Sequence, residues 1–284
     1  MKVLLIVVAV AVAVGAVGAS AGRTASVPSR IVSLSPSATD DLFAVGAGKQ
    51  VVAVDSLSTY PKQAPVTKLS AFTPNVEAIA NYKPDLVVIA FDENHIVAQL
   101  AKLHIKTLLE PAAASLAQVY SEIQQLGNVT GHTAQAKTVV ARMKGKINAI
   151  VKKIPRPTTQ LSVYQELDPT YYSVTSHTFI GQVYSMLGLK NIADAAAGGS
   201  DYPQLSAEYI VASNPDLIVL ADTVCCGQNY KTVAGRPGWG NIAAVKNHEV
   251  VRIDDSIASQ WGTRVVNFFQ AIGSAVRTLE SRSA

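Results

Sequence analysis

Histidine and cysteine are the residues here whose types could bind a metal or act as nucleophiles, and their spacing favours neither chemistry. The five histidines do not pair at metal-ligand intervals. The two cysteines, Cys225 and Cys226, are adjacent, so they cannot build a multi-cysteine zinc or iron–sulfur site. No His-Glu-x-x-His motif and no phosphate-cradling Gly-x-x-x-x-Gly-Lys motif is present. The sequence therefore predicts a protein that is not an enzyme and carries no metal and no cofactor.

The adjacent cysteines leave two alternatives open. Neighbouring Cα atoms lie about 3.8 Å apart across a trans peptide, which is below the usual range for a disulfide. A vicinal disulfide between Cys225 and Cys226 requires a strained peptide, yet an oxidising compartment permits it. Two free thiols are the other interpretation.

Composition narrows the class of protein. Of the 284 residues 49% are hydrophobic and only 15% are charged, which excludes a disordered chain and favours a sizeable core. The 24 basic residues give a net charge of +4 but are scattered, and the aromatic fraction is 6%. Without a basic patch or a stacking surface, a nucleic-acid partner is not expected.

The N-terminus predicts export. Lys2 is followed by an uncharged apolar run and then by small residues near position 20, the pattern of a secretory signal peptide over residues 1–21. A retained membrane anchor is the alternative, although the run is short and rich in Ala, Val and Gly. In either case we expect a periplasmic or extracytoplasmic protein, released by cleavage or tethered by the uncleaved segment.

The remaining elements predict an α/β fold of two three-layer lobes joined by a single long rigid helix. After a linker at 22–29, strands alternate with helices over 30–130 and again over 155–284. Between them, residues 131–154 carry apolar side chains at spacings of three and four, which predicts the connecting helix.

An internal repeat supports the two-lobe organisation. Glu77 and the Pro-Asp-Leu segment at 84–86 recur as Glu208 and the same segment at 215–217, at a constant offset of 131 residues. Each copy places a short helix with a glutamate near its start before a buried strand. This period is too long for a solenoid, so it indicates two similarly built units. Chance recurrence of a common motif is the alternative.

The order of several motifs resembles the vitamin B12-binding and ferric-siderophore-binding proteins of ABC importers. The similar stretches span about residues 30–279 and include Arg-Ile-Val-Ser-Leu-Ser-Pro-Ser at 30–37, Asp-Ser-Leu-Ser-Thr-Tyr-Pro at 55–61 and Tyr-Pro-Gln-Leu-Ser-Ala-Glu at 202–208. The resemblance implies two α/β lobes joined by one helix, with the ligand held between them.

The resemblance also implies site residues. An acidic residue on each lobe docks onto permease arginines in that family, and Glu77 and Glu208 occupy the matching positions; a carboxylate favoured by the helix dipole is the alternative. Aromatic side chains line the ligand cleft, and Arg264 follows the last strand, where it could pair with a polar group of a chelate or cap the final helix. The ligand-binding set implied is Tyr60, Phe72, Tyr172, Trp261 and Arg264.

We therefore expect an extracytoplasmic solute-binding protein that captures a bulky metal chelate. A corrinoid such as vitamin B12 is favoured, and a ferric siderophore or haem is the alternative ligand. The expected partner is the permease dimer of an ABC importer, and the protein is expected to be a monomer. An exported enzyme, a metal-ion receptor on the same scaffold and an anchored structural protein are the competing classes.

Overall fold

The computed structural model describes residues 26–154 and 160–283. In the first lobe five parallel strands form one sheet in the order β3-β2-β1-β4-β5. The strands are β1 Ile31–Leu34, β2 Val51–Asp55, β3 Val66–Leu69, β4 Leu86–Ile89 and β5 Lys106–Leu109. The helices of this part of the chain are α1 Pro36–Ala44, α2 Val76–Ala80, α3 Ile96–Lys102, α4 Leu116–Val129 and α5 Thr133–Val151.

The second lobe repeats this plan on a smaller scale. Four parallel strands form a sheet in the order β7-β6-β8-β9. The strands are β6 Ser162–Glu166, β7 Lys190–Asn191, β8 Leu217–Leu220 and β9 Val250–Arg252. The helices are α6 Phe179–Met186, α7 Ala207–Ser213, α8 Tyr230–Ala234, α9 Ala243–Lys246, α10 Asp255–Ser259 and α11 Val265–Ser283.

The central strands are apolar because helices cover both faces of each sheet. Every residue of β4 and β8 is buried, as expected for parallel strands between two helical layers. The α/β class and its parallel sheets are thus confirmed. The edge strands β3 and β7, which the sequence did not predict, are short and partly exposed.

The Pro-Asp-Leu repeat has a structural cause. Asp85 accepts hydrogen bonds from the backbone N–H and the hydroxyl of Ser29, at 2.8 and 2.7 Å, just before β1. Asp216 accepts the equivalent pair from Ser162 at the start of β6, both at 2.8 Å. The aspartate just before β4 therefore fixes the start of the neighbouring β1, and the aspartate just before β8 fixes the start of the neighbouring β6.

The connection between the sheets is less simple than predicted. The helix expected over 131–154 is present as the 19-residue α5, but α4 also lies between β5 and β6. Helix α11 packs closely on α5 at Gly273. A Cβ added there would lie only 2.7 Å from Ile150 Cγ2. One hydrophobic cluster includes residues of α5, α11 and both sheets. A single long helix as the only rigid link is therefore not confirmed, and the domain boundaries stay predictions.

Two sequence-based expectations differ from the structure or lie outside it. The residues 171–175 also favour a strand from the sequence, and this expectation is wrong: Tyr171 has φ of +69°, which interrupts an extended chain, and only Tyr172 bridges to Gln204. The predicted signal peptide over residues 1–21 lies outside the described residues. Within the ranges that the structure does describe, none of the helices combines the length and the apolar character needed to cross a bilayer.

The loop after β8 holds the adjacent cysteines. Cys225 and Cys226 are joined by a disulfide, and both are exposed. The Asp255 carboxylate at the start of α10 accepts the backbone N–H of Val224 at 3.0 Å and that of Cys225 at 2.7 Å. One carboxylate therefore fixes the backbone of the disulfide loop.

The aspartate contacts predict a stability effect. Asp216→Ala removes an acceptor used by two donors of Ser162, so we expect a loss of about 1 kcal/mol or more in the free energy of unfolding. Denaturant titration of the purified protein measures it. The control is Glu208→Ala, an exposed carboxylate eight residues earlier, for which a smaller loss is expected because at most a helix-dipole contact is removed. Equal stability of both variants would contradict the role of Asp216.

The disulfide predicts a mass and a thiol count. Exported protein with the Cys225–Cys226 bond should be two hydrogens lighter than the reduced form and show no free thiol under denaturing titration. Intact-mass spectrometry with and without reductant checks both values. Two titratable thiols per chain in protein purified in air would rule out the bond.

Candidate ligand-binding cleft

Aromatic side chains follow three strands of the first sheet, at the edge where the strands end. Tyr60 follows β2, Phe72 follows β3 and Phe91 follows β4, with exposed fractions of 46%, 62% and 37%. The ring centroids of Phe72 and Phe91 lie 5.5 Å apart. Ligands of open α/β sheets bind beyond the carboxyl ends of the strands. These rings therefore offer a flat apolar surface to a large ligand.

Arg264 connects this edge to the second lobe. Its Nε lies 3.2 Å from Asp40 Oδ2 in α1, and its guanidinium stands 4.4 Å from the centroid of the Tyr60 ring. Within the second lobe, the guanidinium donates to the Ser256 hydroxyl at 3.0 Å and to Gln260. Arg264, which sequence reasoning placed in the ligand site, thus uses its donors to hold the two lobes together. We call the Asp40–Arg264–Tyr60 group the clasp.

A second contact lies beside the clasp. Asp41 Oδ1 accepts the backbone N–H of Thr263 at 2.8 Å. A Cβ at Gly262 would lie 2.6 Å from the same oxygen, so this close approach requires glycine. Burial raises the pKa of both Asp40 and Asp41; Arg264 opposes the shift at Asp40, whereas the charge of Asp40 adds to the shift at Asp41.

Two cavities border these contacts. The larger one, about 670 Å³, lies on the Tyr60 side and is lined by Asp40, Phe43, Lys49, Tyr60, Gln63 and Thr263, among others. The smaller one, about 150 Å³, opens near Phe91 and is closed from the second lobe by Trp261. The Trp261 ring packs edge-on against Phe179 with centroids 5.6 Å apart. The structure therefore brings Tyr60, Trp261 and Arg264 to the boundary between the lobes.

The second lobe also presents side chains at the carboxyl edge of its sheet. Tyr172 is 40% exposed in the loop after β6. Val224, beside the disulfide, is 70% exposed at the end of β8. These two apolar groups are the second lobe's counterpart of the aromatic surface on the first.

Sequence reasoning missed a buried polar cluster behind this edge. The Glu166 carboxylate accepts two hydrogen bonds from the Arg236 guanidinium, both at 2.6 Å. The Asp222 carboxyl is buried nearby, and burial and the Glu166 charge together raise its pKa to about 7. Arg236 also stacks over Trp239 at 4.5 Å. A carboxylate at the end of β6 (Glu166) and another just beyond β8 (Asp222) were the available signal.

The two glutamates of the repeat lie in equivalent places. Glu77 lies in the first turn of α2, which Asn75 caps, and Glu208 lies in the first turn of α7, which Ser206 caps. Both carboxylates are exposed. The geometry suits a contact with a partner, but it does not distinguish docking from stabilisation by the helix dipole.

Similar proteins agree with this architecture. The family profile described as "Periplasmic binding protein" matches residues 31–257. An uncharacterized ABC transporter substrate-binding lipoprotein, YvrC of Bacillus subtilis, is 32% identical over 88% of this chain and 80% of its own. A cobalamin-binding protein of Halobacterium salinarum is 34% identical over 68% of this chain and 54% of its own.

A solved structure shows the same fold. The periplasmic heme-binding protein RhuT from Roseiflexus sp. RS-1 superposes with a TM-score of 0.77 at 22% identity, over 88% of this chain and 98% of its own. The profile match spans most of the chain, including both sheets and the residues between them. The chain thus belongs to the periplasmic binding protein family, as a substrate-binding protein of the type that serves ABC importers.

Proposed function

We propose that the protein captures a corrinoid such as cobalamin between its two lobes and delivers it to the permease of an ABC importer. The observation that carries this proposal is the cleft with exposed aromatic rings on the first lobe, where Trp261 of the second lobe lines one cavity together with Phe91. A broad, flat, largely apolar ligand fits such walls. On this proposal the protein catalyses no reaction and acts outside the cytoplasm.

The charge of the cleft favours a corrinoid over an anionic chelate. Haem carries two carboxylates, and ferric siderophores are commonly anionic, so their receptors need free cationic groups. Arg264 is already paired with Asp40, which leaves Lys49, on the lining of the larger cavity, as the cation there without a salt bridge among the described residues. A relative with 34% identity is a cobalamin-binding protein. Cobalamin, whose periphery carries uncharged amides, therefore suits the site better than haem.

The aromatic surface predicts a loss of binding. Tyr60→Ala together with Trp261→Ala should weaken cyanocobalamin binding by about 1–3 kcal/mol in total, because truncation removes stacking area from both walls. Isothermal calorimetry measures the affinity. The control is Leu103→Ala with Met186→Ala, two exposed apolar residues at the opposite edges of the lobes, for which affinity should be unchanged. Equal affinity of the two double variants would reject this site.

Haem and a ferric siderophore serve as competing probes in the same experiment. Binding of cyanocobalamin in preference to both supports the proposed ligand. If only haem or only the siderophore binds, the importer role stands and that chelate replaces the corrinoid as the proposed ligand.

The exposed glutamates predict a separate loss of transport. If Glu77 and Glu208 meet permease arginines, removing one partner of a close interfacial ion pair costs about 2–5 kcal/mol of docking free energy. Glu77→Ala and Glu208→Ala should therefore bind ligand normally but fail to support uptake, and the Lys variants should be worse. A surface pair at the rim would show a smaller effect that fades with salt.

Cellular uptake of labelled cyanocobalamin, in the native host lacking its own copy of the protein, measures this effect. Glu280→Ala, which removes a carboxylate from the last helix, is the control. Wild-type uptake by the Glu77→Ala/Glu208→Ala double variant would reject the docking role while leaving the ligand site untouched.

A further inference from the structure

The smaller cavity lies between the lobes and is lined by carboxyl groups. It extends from the start of α1 past the ends of β4 and β5 to α4, and its volume is about 150 Å³. The groups that matter here are Asp41, Phe91, Glu110, Glu122 and, from the second lobe, Trp261. No Lys, Arg or His lines it among the residues that the structure describes. The cavity is therefore suited to a donor group and not to an anion.

Glu110 is the side chain of this cavity that lacks a partner. It directly follows β5, is 7% exposed, and its Oε1 is buried with no hydrogen-bond partner within residues 26–154 and 160–283. A buried acceptor without a partner is costly and uncommon in proteins. An acceptor held in this state beside a cavity is available to a ligand.

The neighbouring carboxyl groups are already occupied. Asp41 accepts the Thr263 N–H at 2.8 Å, and Glu122 accepts the Gln118 amide at 3.0 Å. Burial, and then the charge of Glu122, raise the pKa of Glu110 to about 8. The Glu110 carboxyl is thus mostly neutral at pH 7. Its carbonyl oxygen can accept a hydrogen bond from an uncharged N–H, and no cation is needed to balance a buried charge.

We propose that this cavity receives a primary amide arm at the rim of the ligand, with Glu110 accepting its N–H and Trp261 and Phe91 covering its apolar stem. A ligand carboxylate at that point would enter a cavity whose described lining holds no Lys, Arg or His to compensate its charge, so it is disfavoured. The inference rests on the proposed function and makes it more specific. On this inference, Glu110 is the residue by which the protein distinguishes corrinoids that carry amides from chelates that carry carboxylates.

Two variants of Glu110 test the contact. Glu110→Ala removes the acceptor, so cyanocobalamin should bind about tenfold more weakly, the scale of one hydrogen bond to a buried group. Glu110→Gln keeps a carbonyl that accepts the same N–H, so its affinity should stay within about threefold of the wild type. Glu280→Ala, in the last helix, is the control with unchanged affinity. Calorimetry measures all four proteins after thermal melts show that each is folded.

A second probe tests the charge preference directly. In the monocarboxylic acids of cyanocobalamin, one rim amide is hydrolysed to a carboxylate. At least one regioisomer should bind the wild-type protein about tenfold more weakly than cyanocobalamin, and Glu110→Gln, whose amide can donate to that carboxylate, should narrow the difference. This arm decides the question even if Glu110→Ala does not fold.

The outcomes separate the inference from the proposed function. Unchanged affinity in Glu110→Ala, or equal binding of every regioisomer by the wild type, overturns the inference and leaves corrinoid capture standing. Failure of the wild-type protein to bind cyanocobalamin overturns both.

Discussion

The ion pair between Asp40 and Arg264 is the interaction on which the arrangement of the two lobes depends. Both side chains are nearly buried, so their attraction is screened less than that of a surface pair. Removing either partner alone would leave a buried charge without compensation, which typically costs several kcal/mol. The Tyr60 ring and the hydrogen bonds to Ser256 and Gln260 complete the surroundings of the guanidinium. Two residues proposed to contact the ligand, Tyr60 and Arg264, therefore also lie at the contact between the lobes.

The cleft differs in charge from the chain as a whole. The chain has a net charge of +4, yet buried groups near the cleft are mainly carboxyls, and both arginines there are paired with them. The pKa of Asp41, Glu110 and Asp222 is raised by burial. Glu110, with a pKa of about 8, is thus mostly neutral at pH 7, and Asp222, with a pKa of about 7, is partly so, which reduces the negative charge of these groups.

The sequence predicted what depends on local pattern. The alternation of apolar strands and helices indicated the α/β lobes, and the 131-residue repeat indicated their equivalence, which the Asp85 and Asp216 contacts explain. The sequence named Tyr60, Trp261 and Arg264 as candidates because they follow strands or match a motif, and their binding of a ligand stays a prediction. The Asp40–Arg264 pair spans more than two hundred residues, and no local signal links its ends. Phe91 and Glu110 were missed because a single residue after a strand resembles any loop residue until neighbouring strands are placed.

Helix α10 links the disulfide loop to the boundary between the lobes. Asp255 accepts a backbone N–H of the disulfide loop, and the hydroxyl of the next residue, Ser256, accepts a hydrogen bond from Arg264 of the clasp. Two successive residues of one short helix thus contact both structures, and the path between them is only a few bonds long. The position of the disulfide loop and that of the Arg264 guanidinium are therefore fixed through the same short helix.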